Sequence, residues 1–396
     1  MKQLFGLINI AFLISINVTG QSWVQSPDFL STERDDGVGF SIGNYGYVGT
    51  GRDVGFQYRN DFYKYDALID TWSAIPNLIG SSRQYSAAFS VSTKGYVFGG
   101  VIPGGDYLNE IQIYSPNTNT WKMGTPLPGS ARQSAVAFSI GEKGYIGTGR
   151  NATTSFTDFW EYNTTTDYWE EKAVFPGGKR NEAIGFSIGG VGYIGLGTNL
   201  LGITFNDLWR YSPIDDSWVE AASFPGSVRT YISYFTIGTT LYVYGGMDQT
   251  SVFKNEFWQY NSESDTWTEL STPQFPLRRG ASFFTINNCG YVTTGIDSTW
   301  TRLKDTWSYC VEENQEQSIR LYPNPSSDAI FIEHFNLQED SKVEIIDFQG
   351  RLIQETNINS NSFVTKIKTS NLSQGVYFIL LRNEVQQWSS KFVVVR

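Results

Sequence analysis

Six arginines, Arg34, Arg83, Arg132, Arg180, Arg229 and Arg278, recur along the chain at intervals of 48 or 49 residues. A guanidinium offers a planar fork of donors, so a ring of them would suit a carboxylate or an acidic side chain. The same recurrence also fits structure alone, each arginine pairing with an acid of its own repeat or with a neighbour's carbonyls. Because every repeat carries the arginine, that pairing is the favoured reading. Two residues further on the repeats diverge: Asp36 and Glu182 stand where others carry Tyr85, Tyr231, Ser or Gly. Two carboxyls could do acid–base work of the glycosidase kind, given the right separation. Solvated acids at the mouth of a channel are the plainer alternative. Aromatics such as Phe56, Tyr58, Phe156 and Phe205 recur before an acid and read as packing. Trp300 is out of step with them and is the ring singled out for ligand stacking. The one histidine, His334, lies near the C-terminus. That leaves the repeats without a Ser-His-Asp or Cys-His pair, or an imidazole-bound metal.

The elements that must position these side chains follow from the repeat. Trp23, Trp72, Trp121, Trp169, Trp218 and Trp267 recur with the same spacing, each 11 residues before an arginine. Each arginine is followed by an apolar run ending in Gly-Gly or Gly-x-Gly, for example Gly46–Gly51 and Gly95–Gly100. Next comes an acid with alternating aromatics, as in Asp61-Phe62-Tyr63-Lys64-Tyr65. Every unit thus offers four short strands, a to d, with turn residues between them and no helical period. Four antiparallel strands per repeat make one blade of a propeller, an all-β fold. The sixth copy has Glu316 where its tryptophan should stand, so Trp23 is expected to supply that strand and close a six-bladed ring without free edges. Cys289 and Cys310, the only cysteines, would then lie on paired strands of the closing blade and are expected to form a disulfide.

Across residues 22–310 the order Arg…Gly-Tyr-Val-x-Gly-Gly…Asn-Asp-x-Trp-x-Tyr…Trp, with Asn60-Asp61, Asn206-Asp207 and Asn255-Glu256, resembles the kelch repeat family. The resemblance implies a six-bladed β-propeller, and in that family a role in binding other proteins more often than in catalysis. Some kelch-like propellers are copper radical oxidases, but their histidine ligands have no counterpart in these repeats.

The ends of the chain read differently. Residues 1–20, with Lys2 ahead of an apolar stretch and small residues before Gln21, have the form of a secretory signal peptide. No membrane span is expected in the mature chain. The propeller is placed at residues 21–311 and an acid-rich linker at 312–319. Residues 320–396 change to Tyr322-Pro323-Asn324-Pro325, an Asp-x-x-Gly350-Arg351 turn, and Gly375-Val376-Tyr377 opening a strand. Several short strands here suggest a small Ig-like β-sandwich. These motifs together resemble the C-terminal sorting domain of the type IX secretion system of Bacteroidetes. That resemblance implies export to the cell surface or medium, with the secretion machinery as a partner.

A net charge of −10 argues against a nucleic-acid partner, which needs a basic face. The expectation is therefore a secreted or surface propeller acting as a non-catalytic module for an extracellular protein or glycan, with no cofactor or metal. The alternative is a carbohydrate-active propeller like the sialic acid mutarotases. No catalytic residue is assigned, and the ligand face of the propeller would comprise the six arginines with Asp36, Tyr85, Glu182, Tyr231 and Trp300.

Overall fold

A computed structural model describes residues 23–311, 320–322, 324–333, 341–358, 364–382 and 387–396. The segment read as a signal peptide, the linker at 312–319, Pro323 and His334 lie outside the described residues. The chain divides into two units, Met1–Val311 and Glu312–Arg396.

In the first unit, six four-stranded antiparallel sheets follow one another among the described residues. Blade 1 runs Val38–Ile42, Tyr45–Gly49, Phe62–Asp66 and Thr71–Ile75, and the pattern repeats through blade 5 at Ser233–Ile237, Thr240–Tyr244, Phe257–Asn261 and Thr266–Leu270. Blade 6 is built from Ser282–Ile286, Cys289–Thr293, Thr306–Cys310 and, as its outer strand, Trp23–Ser26. Trp23 faces Tyr309 in register, so the two ends of the repeat array share one sheet. A disulfide joins Cys289 to Cys310 on adjacent strands of that blade. The innermost strands touch in the circular order 38–42, 87–91, 136–140, 184–188, 233–237, 282–286 and back to 38–42, which closes the ring.

The repeat chemistry explains the blade. The tyrosine of strand c bonds the acid or amide of the c–d turn, as in Tyr211 to Asp216 and Tyr260 to Asp265, both at 2.7 Å. Those turn residues sit at positive φ, 46° for Asp216 and 53° for Asp265, a conformation that Asp and Asn tolerate best among side-chain-bearing residues. The tryptophan of strand d donates its indole N–H to a backbone carbonyl of the preceding repeat, Trp121 to Pro76 at 2.8 Å and Trp218 to Ala173 at 2.9 Å. Glycines of strand b lie under aromatic rings of the neighbouring blade: a Cβ at Gly192 would stand 2.5 Å from the Phe138 ring. The layers between blades are accordingly aromatic, with Phe186 stacked on Tyr193 at 4.8 Å and Trp23 ringed by Phe257, Phe275 and Tyr309.

Among the described residues of the second unit are two sheets, one of three strands (Arg320–Tyr322, Ala329–Glu333, Val364–Lys368) and one of four (Leu352–Ile358, Ser341–Asp347, Gly375–Arg382, Gln387–Val394). Ile330, Ile332, Ile345, Ile379 and Phe392 are among its buried core. The motif residues shape turns and edges. Asp347 Oδ1 accepts from the N–H of Gln349 and Arg351 at 2.9 and 3.0 Å, with Gly350 between them at φ 80°. Asn324 Oδ1 accepts from the Val393 N–H at 3.0 Å, and the Tyr377 hydroxyl donates to the Ser373 carbonyl at 3.0 Å. Pro325 follows Asn324 through a cis peptide bond.

Candidate ligand site on the propeller axis

The six repeat arginines do not face a ligand. Each is no more than 1 % exposed and pairs with the acid that opens strand c of its own blade. The pairs are Arg34–Asp61, Arg83–Glu110, Arg132–Asp158, Arg180–Asp207, Arg229–Glu256 and Arg278–Asp305. Arg132 is bidentate, at 2.6 Å to each Asp158 oxygen, and its remaining donors reach the Thr148 and Ser130 carbonyls. Aromatics cover the guanidinium faces: Phe156 lies 4.3 Å from Arg132 and Phe205 4.1 Å from Arg180. Burial acts to raise the Asp158 carboxyl, but the hydrogen bonds and charge of Arg132, with the Trp160 N–H, hold it below its ordinary value. The arginines therefore leave the candidate ligand face: a fully paired, covered guanidinium has nothing left to offer a ligand.

Two residues beyond each arginine the chain turns in toward the axis. Asp36, Tyr85, Ser134, Glu182, Tyr231 and Gly280 all take positive φ, between 52° and 61°. The strain is offset by a belt of inter-blade hydrogen bonds. Asp36 N–H donates to Gly280 O at 2.7 Å, Tyr85 N–H to Asp36 O at 3.0 Å and Ser134 N–H to Tyr85 O at 2.8 Å. Glu182 N–H donates to Ser134 O at 3.1 Å and Gly280 N–H to Tyr231 O at 3.0 Å. The backbone thus repeats six times while the side chains do not.

Those side chains, with Gly39, Ala88, Ala137, Gly185, Tyr234 and Phe283 below them, line an axial cavity of about 200 Å³. The Tyr85 hydroxyl lies beside the Asp36 carboxyl, and that of Tyr231 beside Glu182, close enough for each pair to interact. In a six-membered ring blades 1 and 4 are opposite, as are 2 and 5, so two acid–tyrosine pairs face each other; the rings of Tyr85 and Tyr231 approach to 6.2 Å. Burial, with the negative charge of Asp35 beside it, pushes the Asp36 carboxyl well above the ordinary value, against the opposing pull of Arg279. Burial also raises Glu182, despite the Tyr231 hydroxyl beside it and the charges of Arg150 and Arg279. Both tyrosine hydroxyls are pushed up, by burial first, and so remain donors.

Arg279, which the sequence reading passed over, is the cation of this cluster. It lies 3.3 Å from Asp36 and 3.5 Å from Asp35, and its guanidinium stacks 4.5 Å from the Tyr231 ring and 5.5 Å from Trp300. Asp35 is held from its other side by Arg302 at 2.6 Å. The available signal was the doubled Arg278-Arg279, since the other blades have Asp35, Gln84, Gln133, Asn181 and Thr230 at that place. Trp300 is also corrected. It occupies the same turn position as Phe56: each donates its N–H to an aspartate three residues back, Asp297 or Asp53, at 2.9 Å, and each has positive φ. It is 53 % exposed, packs edge-on against Phe253, and is not part of the cavity wall.

A model of the kelch-repeat domain of KLHDC2, KLHL20 and DRC7 matches residues 40–226, and a kelch motif matches 229–274. A secretion-system C-terminal sorting domain matches residues 320–395. A solved structure titled "Structure of YjhT" superposes with a TM-score of 0.64 at 15 % identity, covering 73 % of this chain and 98 % of its own. At that identity the likeness is one of fold. Comparison with curated proteins gives no match.

Proposed function

The chain is a secreted kelch-repeat β-propeller with a C-terminal sorting domain, and from that premise we propose that it is a non-catalytic binding module whose axial pocket takes one unit of a glycan. The observation that carries this reading is the symmetry break. Six equivalent backbone positions present Asp36, Tyr85, Ser134, Glu182, Tyr231 and Gly280 around one cavity. Scaffold positions keep their residue in every blade, whereas these differ while the backbone is held constant, which is how a ring acquires a specific ligand. Two acid–tyrosine pairs offer adjacent acceptors and donors to vicinal hydroxyls, and the tyrosine rings offer an apolar face to a pyranose. A cavity of about 200 Å³ suits a single sugar ring better than a protein surface.

A second reading, a carbohydrate-active propeller of the sialic acid mutarotase kind, draws on the raised Asp36 and Glu182 carboxyls, since a general acid must hold its proton near neutral pH. Arg279 bears on it both ways: its terminal nitrogens lie 3.5 Å from Asp35 and 3.3 Å from Asp36, which reduces what they can offer an anionic sugar, while its Nε lacks a protein partner. Titration with neutral hexoses and N-acetylneuraminic acid, together with NMR of anomer exchange, separates the two. Binding without accelerated exchange, lost in Tyr85→Phe and Glu182→Gln, is the expected outcome. Exchange that falls in those variants establishes the enzyme instead. The sorting domain implies passage through the type IX machinery to the surface or medium, and deleting residues 320–396 should retain the propeller inside the envelope.

A further inference from the structure

We infer that Tyr234 and Phe283 form an aromatic shelf in the axial cavity, on which a β-configured hexopyranose stacks the face made by C1, C3 and C5. This rests on the glycan reading and deepens it, by naming the configuration of the sugar and the side it turns to the wall. Three residues past the ring that carries Asp36, Tyr85, Glu182 and Tyr231, the blades diverge a second time. Blades 1 to 4 have Gly39, Ala88, Ala137 and Gly185, whereas blades 5 and 6 have Tyr234 and Phe283. One side of the axis is therefore aromatic and the other small.

The two rings are accessible and held still. Their chain neighbours Phe235 and Phe284 are buried between blades, but Tyr234 and Phe283 are only half-buried. A second cavity of about 190 Å³ along the inner strands shares both rings with the axial one, so open space lies beside them. They meet at 4.3 Å with their planes inclined by 46°. The Tyr234 hydroxyl donates to the Gly185 carbonyl at 3.1 Å and accepts the Gly185 N–H at 3.2 Å, which ties the ring across to blade 4. On the other flank a Cβ at Gly39 would stand 2.3 Å from the Phe283 carbonyl oxygen, so blade 1 brings bare backbone up to blade 6. A surface fixed in this way binds with little loss of side-chain freedom.

At this depth the wall offers only apolar contact. The Tyr234 proton is already given to Gly185, Phe283 has no polar atom on its ring, and Ala88 and Ala137 present methyl groups. Hydrogen bonding belongs to the layer of Asp36, Tyr85, Glu182 and Tyr231. A ligand that fills both layers needs a polar edge and a C–H face. A β-hexopyranose of the gluco or galacto configuration has such a face in its axial hydrogens at C1, C3 and C5, and an aromatic ring is its natural support. An α-linkage or an axial hydroxyl at C3 interrupts that face.

Calorimetric titration of the full chain would use methyl β-glucoside and methyl β-galactoside, their C3 epimers methyl β-alloside and methyl β-guloside, and the methyl α-glycosides of glucose and galactose. Expected is one β-glycoside, of glucose or galactose, binding about five- to tenfold more tightly than its C3 epimer and its α-anomer, the gain of one ring stack. In proton NMR, saturation transferred from the aromatic protons of the protein should reach the C1, C3 and C5 hydrogens of that glycoside more strongly than those at C2 and C4. Phe283→Leu, which keeps the bulk and removes the ring, should shrink the preference by weakening the favoured glycoside alone. Tyr234→Phe, which keeps the ring, should preserve it. Equal binding of the C3 epimers, saturation strongest at C2 and C4, or a preference undiminished in Phe283→Leu overturns the shelf and leaves the glycan reading standing. Glycoside binding indifferent to Tyr85→Phe and Glu182→Gln overturns the axial reading itself, and a panel that binds nowhere overturns both.

Discussion

The belt of paired arginines and the axial cluster lie within two residues of each other in every repeat, yet they obey opposite rules. In the belt each charge is matched inside its own blade, and the same pair is made six times. On the axis Asp36 and Glu182 are pushed toward the neutral form, and two residues past the arginine no two neighbouring blades carry the same side chain. Repetition marks what the fold requires of every blade, and departure from it marks what the molecule does.

Breaking the belt should have the largest effect. Asp158→Ala leaves the fully buried Arg132 without its partner, and a loss of about 3–5 kcal/mol in chemical denaturation is expected. A loss under about 1 kcal/mol would mean the belt is ornamental. Next comes Gly280→Ala, where a Cβ would collide with Asp36 Oδ1 at a backbone φ of 61°. It should cost about 1–2 kcal/mol, and Asp36→Gly in the same chain should recover much of that.

Smaller is the effect of Asp36→Asn, expected within about 1 kcal/mol at neutral pH, because the wild-type carboxyl is poorly accommodated when charged. Its diagnostic is pH. A folded-state value raised above the unfolded one contributes stability that is present below the unfolded value and lost as pH rises through the folded value. Asp158, held low, has the reverse sign: its contribution is present above the unfolded value and lost as pH falls through the folded one. Asparagine mimics the protonated aspartate, so both variants should track wild type in acid and depart from it with opposite sign above that. Asp158→Asn falls below wild type and Asp36→Asn gains on it as pH rises; departures of the same sign remove the distinction. Smallest is Trp300→Ala, a half-exposed loop position, expected within about 0.5 kcal/mol.

The blade was legible because its signals are local and recur: the tryptophan spacing, the Gly-Gly after strand b and the acid of strand c each report a contact within one repeat or with the next. The arginines were legible as a ring, and their pairing within the repeat as the favoured reading; which acid each would take was not, since guanidinium and carboxylate are 26 or 27 residues apart. Arg279 escaped because its partner Asp36 is 243 residues away, across the closure of the ring. Tyr234 and Phe283 escaped for another reason. Aromatics in an inner strand look like core until six repeats are laid side by side and four are seen to have Gly or Ala there.

Closure by Trp23–Ser26 also sets an order of events. That strand pairs with Thr306–Tyr309, and the Ser308 hydroxyl reaches the Val24 carbonyl across 284 positions of chain. The first residues of the propeller must therefore wait for almost the last. A chain emerging from its amino end can complete five blades in sequence, but the sixth stays one strand short until its two ends meet. The slow, search-limited step of assembly falls at the end, where loop closure is longest. Until then blade 6 presents an unpaired edge, the part of the incomplete ring most open to mispairing.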